Sequence, residues 1–296
     1  MKEGRILKAL GGFFFVHCPQ EDKVYRCGIR GRLKQAGIDV ISGDLVEFTL
    51  LEDGSGIVES RKQRDNYIFR PPIANVERVI ITSAIKEPDL HPKLLDRLLI
   101  LAENAGLDII ICINKVDISG LEEAKNILSD YERVGYKVIY TSVKEEIGIN
   151  QLRDVLQDKV SFFAGPSGAG KSSLLNAIQP GLQLKMGEVS CKIKRGRHTT
   201  RHVELLALDN GGWVADTPGF SVLDITSIES NELQYLFPEM DDYLDGCKFI
   251  PCSHSHEPKC AIKEGVKGGG ISESRYQNYL EFLEEIKKKE EKSWRR

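Results

Sequence analysis

The run Gly165-Pro166-Ser167-Gly168-Ala169-Gly170-Lys171-Ser172 has the form G-x-x-x-x-G-K-[ST], and each residue type in it has a chemical reason. Gly165, Gly168 and Gly170 permit turns that a side chain would block, so successive N–H groups can converge on phosphate oxygens. Lys171 can place its ammonium on the β and γ phosphates of a nucleotide, and Ser172 offers a hydroxyl to magnesium. The apolar run from Lys159 to Ala164 predicts a buried strand before the loop. Ser173 to Ile178 predicts a helix after it, ending at Pro180-Gly181. Phosphates held by the loop, including by Pro166, Ser167, Ala169 and Ser173, would then lie on a helix N-terminus.

A second constellation, Asn114-Lys115-Val116-Asp117, ends an apolar run from Leu107 to Ile113. The Asp117 carboxylate can accept from both N1–H and the 2-amino group of guanine. Adenine lacks that amino group and has a bare N1, so it would leave Asp117 unpaired. Asn114 can donate to the other edge of the base, and the Lys115 stem can cover its face. A further strand, Lys137 to Tyr140, leads into Thr141-Ser142, where a loop can close over the base. Downstream, the strand Trp213-Val214-Ala215 runs into Asp216-Thr217-Pro218-Gly219. A strand ending in D-x-x-G brings Asp216 near magnesium through water and the Gly219 N–H near the γ phosphate.

Between the phosphate loop and D-x-x-G lies the basic segment Lys192 to Arg201, read as a switch loop rather than a merely solvated one. Thr199 or Thr200 can ligate magnesium; the sequence does not choose between them. After D-x-x-G stands Phe220, where a water-orienting glutamine is common. His198 is then the candidate for orienting the attacking water, the alternative being an ordinary loop histidine or an RNA contact. The base-specificity motif precedes the phosphate loop here, the reverse of the ordinary order in GTPases. The nucleotide domain therefore reads as circularly permuted, with the C-terminal region tethered to its second switch.

Cys247-x4-Cys252-x-His254-x5-Cys260 supplies three thiolates and one imidazole. That is a full tetrahedral set for one structural zinc, with no position left for water. His256 is a competing ligand. Beyond it, Arg275 to Leu283 begins a helix with an aromatic and apolar stripe, ending in Lys287-Lys288-Lys289, Lys292, Arg295 and Arg296. Its two readings are a docked helix and an RNA-facing tail.

The elements that must position these groups fall into three predicted domains in a chain of 296 residues. Residues 69–224 alternate strand and helix (Arg78 to Ala84, Pro92 to Ala105, Leu107 to Ile113), which implies a parallel α/β sheet. Residues 1–68 show five short runs (Arg5–Leu10, Gly12–His17, Val24–Ile29, Leu45–Leu50 and Ser55–Ser60) separated by turn signals. These predict a small antiparallel all-β barrel of OB type. Arg26, Arg30, Arg32, Lys34, Arg61, Lys62 and Arg64, with Phe13 to Phe15 and Tyr25 nearby, could form its RNA-binding face; the alternative is core phenylalanines and a solvated basic surface. Arg70-Pro71-Pro72 marks the boundary. Residues 225–296 form the zinc-stapled, mainly helical module. The formal net charge of −3 gives no global nucleic-acid footprint, so RNA contact must come from local patches. No apolar run approaches membrane-spanning length, and the N-terminus lacks a signal-peptide pattern, so a cytoplasmic location is expected. Seven cysteines, an odd count, argue against a disulfide framework.

Together these motifs resemble the ribosome small-subunit-dependent GTPase A family (RsgA). The resemblance covers nearly the whole chain and also rests on Gly43-Asp44, Arg70-Pro71, Gly196-Arg197-His198-Thr199-Thr200, Glu257-Pro258 and Arg275-Tyr276. It implies a GTP hydrolase that binds the small ribosomal subunit late in assembly and is stimulated by it. Barrel and zinc module would contact rRNA, and a hydrophobic residue would replace the catalytic glutamine, as Phe220 does. The expected partners are the small subunit with its rRNA and GTP or GDP, with magnesium accompanying the nucleotide, no membrane, and a monomer off the ribosome. The rival readings are a GTP-sensing RNA-binding module without turnover, an ATP-using P-loop enzyme, and a structural adaptor.

Overall fold

The computed structural model describes residues 1–69, 72–181, 203–216 and 224–294. Strands β1 (Lys2–Leu10), β2 (Phe13–Cys18), β3 (Lys23–Ile29), β4 (Leu45–Leu50) and β5 (Gly56–Arg61) close a barrel in the order β1-β2-β3-β5-β4. The expectation of an antiparallel barrel is corrected at one seam, where β3 and β5 pair in parallel. The chain leaves β3 through helix α1 (Gly31–Gln35) and crosses the barrel, and the β4–β5 hairpin then returns β5 alongside β3 in the same direction. Alternate residues of these strands, Ile6, Val16, Cys27, Val46, Phe48 and Val58, fill the interior.

The barrel is joined to the nucleotide domain by a two-stranded pair, β6 (Tyr67–Ile68) and β7 (Ile73–Ala74). The proline-rich boundary thus has paired strands on both flanks; Arg70 and Pro71 lie outside the described residues. Gly43, at φ +91°, lets the barrel lie on β7, because a Cβ there would fall 2.0 Å from the Ala74 carbonyl oxygen. Arg64 holds the same corner with two hydrogen bonds, of 2.6 and 2.9 Å, to the buried Asp44 carboxylate.

The remaining strands, β8 (Arg78–Ala84), β9 (Asp108–Asn114), β10 (Lys137–Tyr140), β11 (Val160–Ala164), β12 (Glu204–Ala207) and β13 (Trp213–Asp216), form one sheet in the order β10-β9-β8-β11-β13-β12. All neighbours are parallel except β12, which runs antiparallel to β13 at the edge. Helices α2 (Pro92–Asn104), α3 (Val116–Ser119), α4 (Leu121–Val134), α5 (Ile149–Val155) and α6 (Lys171–Ile178) accompany it. Alternation along the strands feeds two apolar clusters. Val79, Ile81, Ile111 and Phe162 pack with α2 and α4, whereas Ile80, Ile110, Phe163 and Val214 pack with α5 and α6. The phosphate-loop strand β11 is central, and both β8 and β13 flank it.

Three further helices, α7 (Asp241–Leu244), α8 (Ala261–Lys267) and α9 (Glu273–Trp294), build the C-terminal part. The apolar stripe of α9, with Tyr279, Phe282 and Ile286, is buried in this part's own core, which includes Ile100 of α2. The stripe therefore belongs to a docked helix. The α2–α9 contact is sealed by fully buried Arg275, which donates to Asp96 of α2 and to both Glu239 oxygens. Burial pushes Asp96 upward, opposed by the Arg275 charge.

Candidate nucleotide and metal sites

Strand β11 ends in the phosphate loop and α6 starts at Lys171, so the loop turns directly into a helix N-terminus. Gly165 (φ +131°) lies so close to β8 that a Cβ would meet the Thr82 carbonyl oxygen at 1.9 Å. Gly170 (φ +93°) is equally crowded, with its hypothetical Cβ 2.2 Å from Asn114 Nδ2. Lys171 is half-buried, which lowers its pKa, and its Nζ donates to the carbonyls of Gly165 (2.9 Å) and Pro166 (2.8 Å). Ser167 and Gly168 are exposed at the loop's tip, Ala169 is buried beneath it, and Ser172 and Ser173 are half-buried in the first turn of α6.

The base-specificity motif meets this loop directly. Asn114, the last residue of β9, is buried; its Nδ2 donates to the Ala169 carbonyl at 2.9 Å, and its Oδ1 accepts from the Thr141 hydroxyl at 3.1 Å. Lys115 adopts a left-handed conformation (φ +63°), and its Nζ donates to the Glu87 carbonyl, in the loop after β8. Val116 is buried as an anchor; its N–H donates to the Thr141 carbonyl at 3.2 Å. Asp117 Oδ1 accepts from the Ser142 hydroxyl at 2.6 Å, and Ser142 Oγ accepts the Glu145 N–H at 3.1 Å. Thr141 and Ser142 are themselves buried. Sequence motifs separated by some fifty residues thus share one hydrogen-bonded corner at the C-terminal ends of β8, β9, β10 and β11, where α/β sheets bind ligands. The contribution of Glu87 has no signature in the sequence, because a backbone carbonyl leaves no residue-type signal.

Asp216 ends β13 at the same edge of the sheet and pairs in register with Glu204 of β12. Partial desolvation and the facing Glu204 carboxylate both raise its pKa. Gly219, Phe220, His198, Thr199 and Thr200 lie outside the described residues.

The cysteine–histidine set converges. The ligand atoms of Cys247, Cys252, His254 and Cys260 all lie within 4.8 Å of one another. Cys247 Sγ is 3.9 Å from Cys260 Sγ, and His254 Nδ1 is 3.5 and 3.4 Å from those two sulfurs. Zinc–sulfur bonds of about 2.3 Å at tetrahedral angles give sulfur–sulfur edges of about 3.8 Å, so the set fits zinc. His254 Nε2 lies 2.7 Å from Gln234 Oε1. That pairing places the ring proton on Nε2 and leaves Nδ1 as the ligand atom. His256 is exposed and stands outside the cluster. Burial pushes Cys252 up to about 12 and raises Cys260. Gln234 has no signature in the sequence either; it is twenty residues upstream and carries no spacing signal.

On the barrel, the Arg26 guanidinium lies 3.6 Å from the centroid of the exposed Phe13 ring. Phe14 packs toward the barrel core instead, which divides the three phenylalanines between the two readings. Arg30 and Arg32 are exposed and both reach Glu59.

Family models match the chain in two places: RsgA N-terminal domain over residues 3–58 and RsgA GTPase over residues 61–226. Curated relatives described as small ribosomal subunit biogenesis GTPase RsgA include those of Alkaliphilus metalliredigens and of Geobacillus sp. The first is 43% identical over 97% of this chain and 99% of its own. The second is 46% identical over 98% and 99%. Two solved structures are similar throughout. YjeQ from Thermotoga maritima has a TM-score of 0.87 at 37% identity, covering 96% of this chain and 98% of that one. YloQ, described as a circularly permuted GTPase, has a TM-score of 0.84 at 40% identity, covering 98% and 96%.

Proposed function

Because the chain belongs to the RsgA GTPase family, we propose that it hydrolyses GTP as a late maturation factor of the small ribosomal subunit, with turnover stimulated by the subunit and coupled to release. The GTP hydrolase activity follows from the family; the assignments of residues and the coupling are inferred from the site. The observation that carries the residue assignments is the Asn114–Ala169 bond, which fixes the base-reading corner against the phosphate loop.

Guanine is read by Asp117, whose carboxylate is aimed by Ser142, with Asn114 at the opposite edge, the Lys115 stem over one face, and Thr141 buttressing Asn114. The N–H groups of Gly165 and of Ser167 through Ser173, with Pro166, Gly168, Ala169 and Gly170 shaping the turn, hold the phosphates at the head of α6. Lys171 exchanges its two loop carbonyls for β and γ oxygens; its lowered pKa reflects desolvation, which strengthens its attraction to anions. Magnesium bound with the nucleotide would neutralise charge on the β and γ oxygens. Ser172 and Thr199 or Thr200 would hold it, Asp216 would accept from its water shell, and the Gly219 N–H would meet the γ phosphate. Phe220 cannot orient water, so His198 is assigned that task, completed on the subunit. Relaxation of both switches after hydrolysis would loosen the zinc module tethered behind the second.

The exposed Phe13–Arg26 pair and the zinc module are the proposed rRNA contacts, because a ring with a stacked guanidinium suits a nucleobase and phosphate together. Cys247, Cys252, His254 and Cys260 would hold zinc as a structural ion. Among the described residues no helix is long and apolar enough to cross a membrane, and the cytoplasm, where subunits mature, is the proposed location, with the protein monomeric off the ribosome. Lys171→Ala and Ser172→Ala are each expected to abolish subunit-stimulated hydrolysis. An unchanged turnover rate in either would refute the site.

A further inference from the structure

The barrel reaches the nucleotide site along a path separate from its basic face. Strand β1 changes register between Ile6 and Lys8, a bulge at Leu7. Bulges re-aim side chains. Ile6 points into the barrel, while Leu7 packs on the apolar core of the nucleotide domain. Lys8 Nζ pairs with Glu204 Oε1 at 2.7 Å and lies 5.1 Å from the Phe15 ring centroid. Beside it, the Ser42 hydroxyl donates to the Val203 carbonyl at 2.6 Å in a buried contact. The His17 ring sits 5.0 Å from that of Trp213, which opens β13. The barrel therefore grips the β12–β13 edge at both ends, and the gripped Glu204 stands in register opposite Asp216.

We infer that Lys8 is a positioning residue for the GTPase reaction: by pairing with Glu204, the barrel sets how negative the Asp216 corner of the nucleotide site is, and hence how strongly that corner favours magnesium. The inference rests on the assignment of Asp216 to the magnesium side under the proposed function. Residues directly opposite on antiparallel strands have Cβ atoms about 5 Å apart, close enough for one carboxylate to bear on the other. With Lys8 in place Glu204 is compensated; without it, two carboxylates face the ion. At about 10 Å and a water-like dielectric, one unit charge changes divalent-ion affinity by about two- to fivefold. A partner that drew the barrel's Lys8 away would thus act on the nucleotide site without touching it.

The test monitors release of a fluorescent GDP analogue at increasing magnesium, in a Trp294→Phe background. Lys8→Met is expected to lower the half-saturating magnesium concentration about two- to fivefold, and Glu204→Gln to raise it by a similar factor. The double variant should return near the parent, and Lys8→Arg should match it. A purely structural role would move both single variants in the same direction. Trp213 emission in nucleotide-free protein reports whether the seam with His17 stays closed; where it shifts in Lys8→Met, Lys8→Gln, which keeps a donor for Glu204 without the charge, decides by lowering the half-saturating magnesium concentration or not. Same-sign shifts, no shifts, or no lowering in Lys8→Gln would overturn the relay. Asp216→Asn separates the two levels: if it leaves the magnesium dependence unchanged, the site assignment itself is wrong, whereas a shift there with none at Lys8 and Glu204 defeats the relay alone.

Discussion

Replacing Gly170 with alanine should uncouple base reading from phosphate binding. The added Cβ would lie 2.2 Å from Asn114 Nδ2, where ordinary contact needs more than 3.4 Å. Asn114 cannot yield without loss, because it is buried and held by Ala169 at 2.9 Å and Thr141 at 3.1 Å. Moving it breaks one or both bonds inside the protein, at about 1–3 kcal/mol for a buried polar group left unpaired. Alanine at φ +93° adds about 1–2 kcal/mol of left-handed strain. The two effects together predict destabilisation of about 2–5 kcal/mol. The displaced Asn114 also leaves the base edge, so GTP affinity should fall by roughly ten- to a hundredfold, the factor that corresponds to about 1.4–2.8 kcal/mol. Equilibrium titration with a fluorescent GTP analogue and denaturant unfolding measure the two quantities separately. Affinity within about twofold of the parent, with unchanged stability, would show that Asn114 does not join the two motifs as described.

The other expectations are as direct. Asp117→Asn removes the acceptor pair that Ser142 aims, and should weaken GTP about a hundredfold while leaving ATP binding no weaker; retained guanine preference in competition binding would contradict it. Arg275→Met strands the buried Asp96 and Glu239 carboxylates and should lower stability by about 3–5 kcal/mol in urea unfolding, with much of the loss recovered when both acids are also made leucine. Burial alone would raise the Glu257 carboxyl, but donors from Ser253 and Ser255 override it and hold it at about 2. A lowered folded-state pKa stabilises above the unfolded value, near 4.5, and is lost as pH falls toward about 2. The advantage over Glu257→Gln, about 1–2 kcal/mol after solvent screening, should shrink across that window. A carboxyl titration by NMR at an ordinary value near 4.5 would refute this.

The phosphate loop, its strand and its helix were legible because their residue types answer to local geometry: glycines at positive φ and a lysine at the head of a helix. The base-reading motif was legible for the same reason, and its meeting with the loop followed from parallel-sheet topology. Helix α4 was not recognised, because its buried face is only Ala124, Leu128 and Tyr131 within a charged segment. Strand β12, four residues long, has too little alternation to stand out. The parallel β3–β5 seam was missed because strand periodicity fixes which face is buried and says nothing of direction. Gln234, Glu87 and the Arg275–Asp96 pair depend on contacts between residues far apart in the chain, which no short pattern records. The cysteine–histidine cluster was legible despite its unusual spacing, since four candidate ligand residues within a short stretch outweigh the pattern between them.

Central to the proposed function is that the small ribosomal subunit switches on GTP hydrolysis. The most direct test is GTP turnover with purified small subunits, large subunits and naked rRNA, each at the same fixed salt because RNA contacts weaken steeply as salt rises. Strong stimulation by the small subunit alone is the expected result. Equal stimulation by all three, or by none, would contradict it.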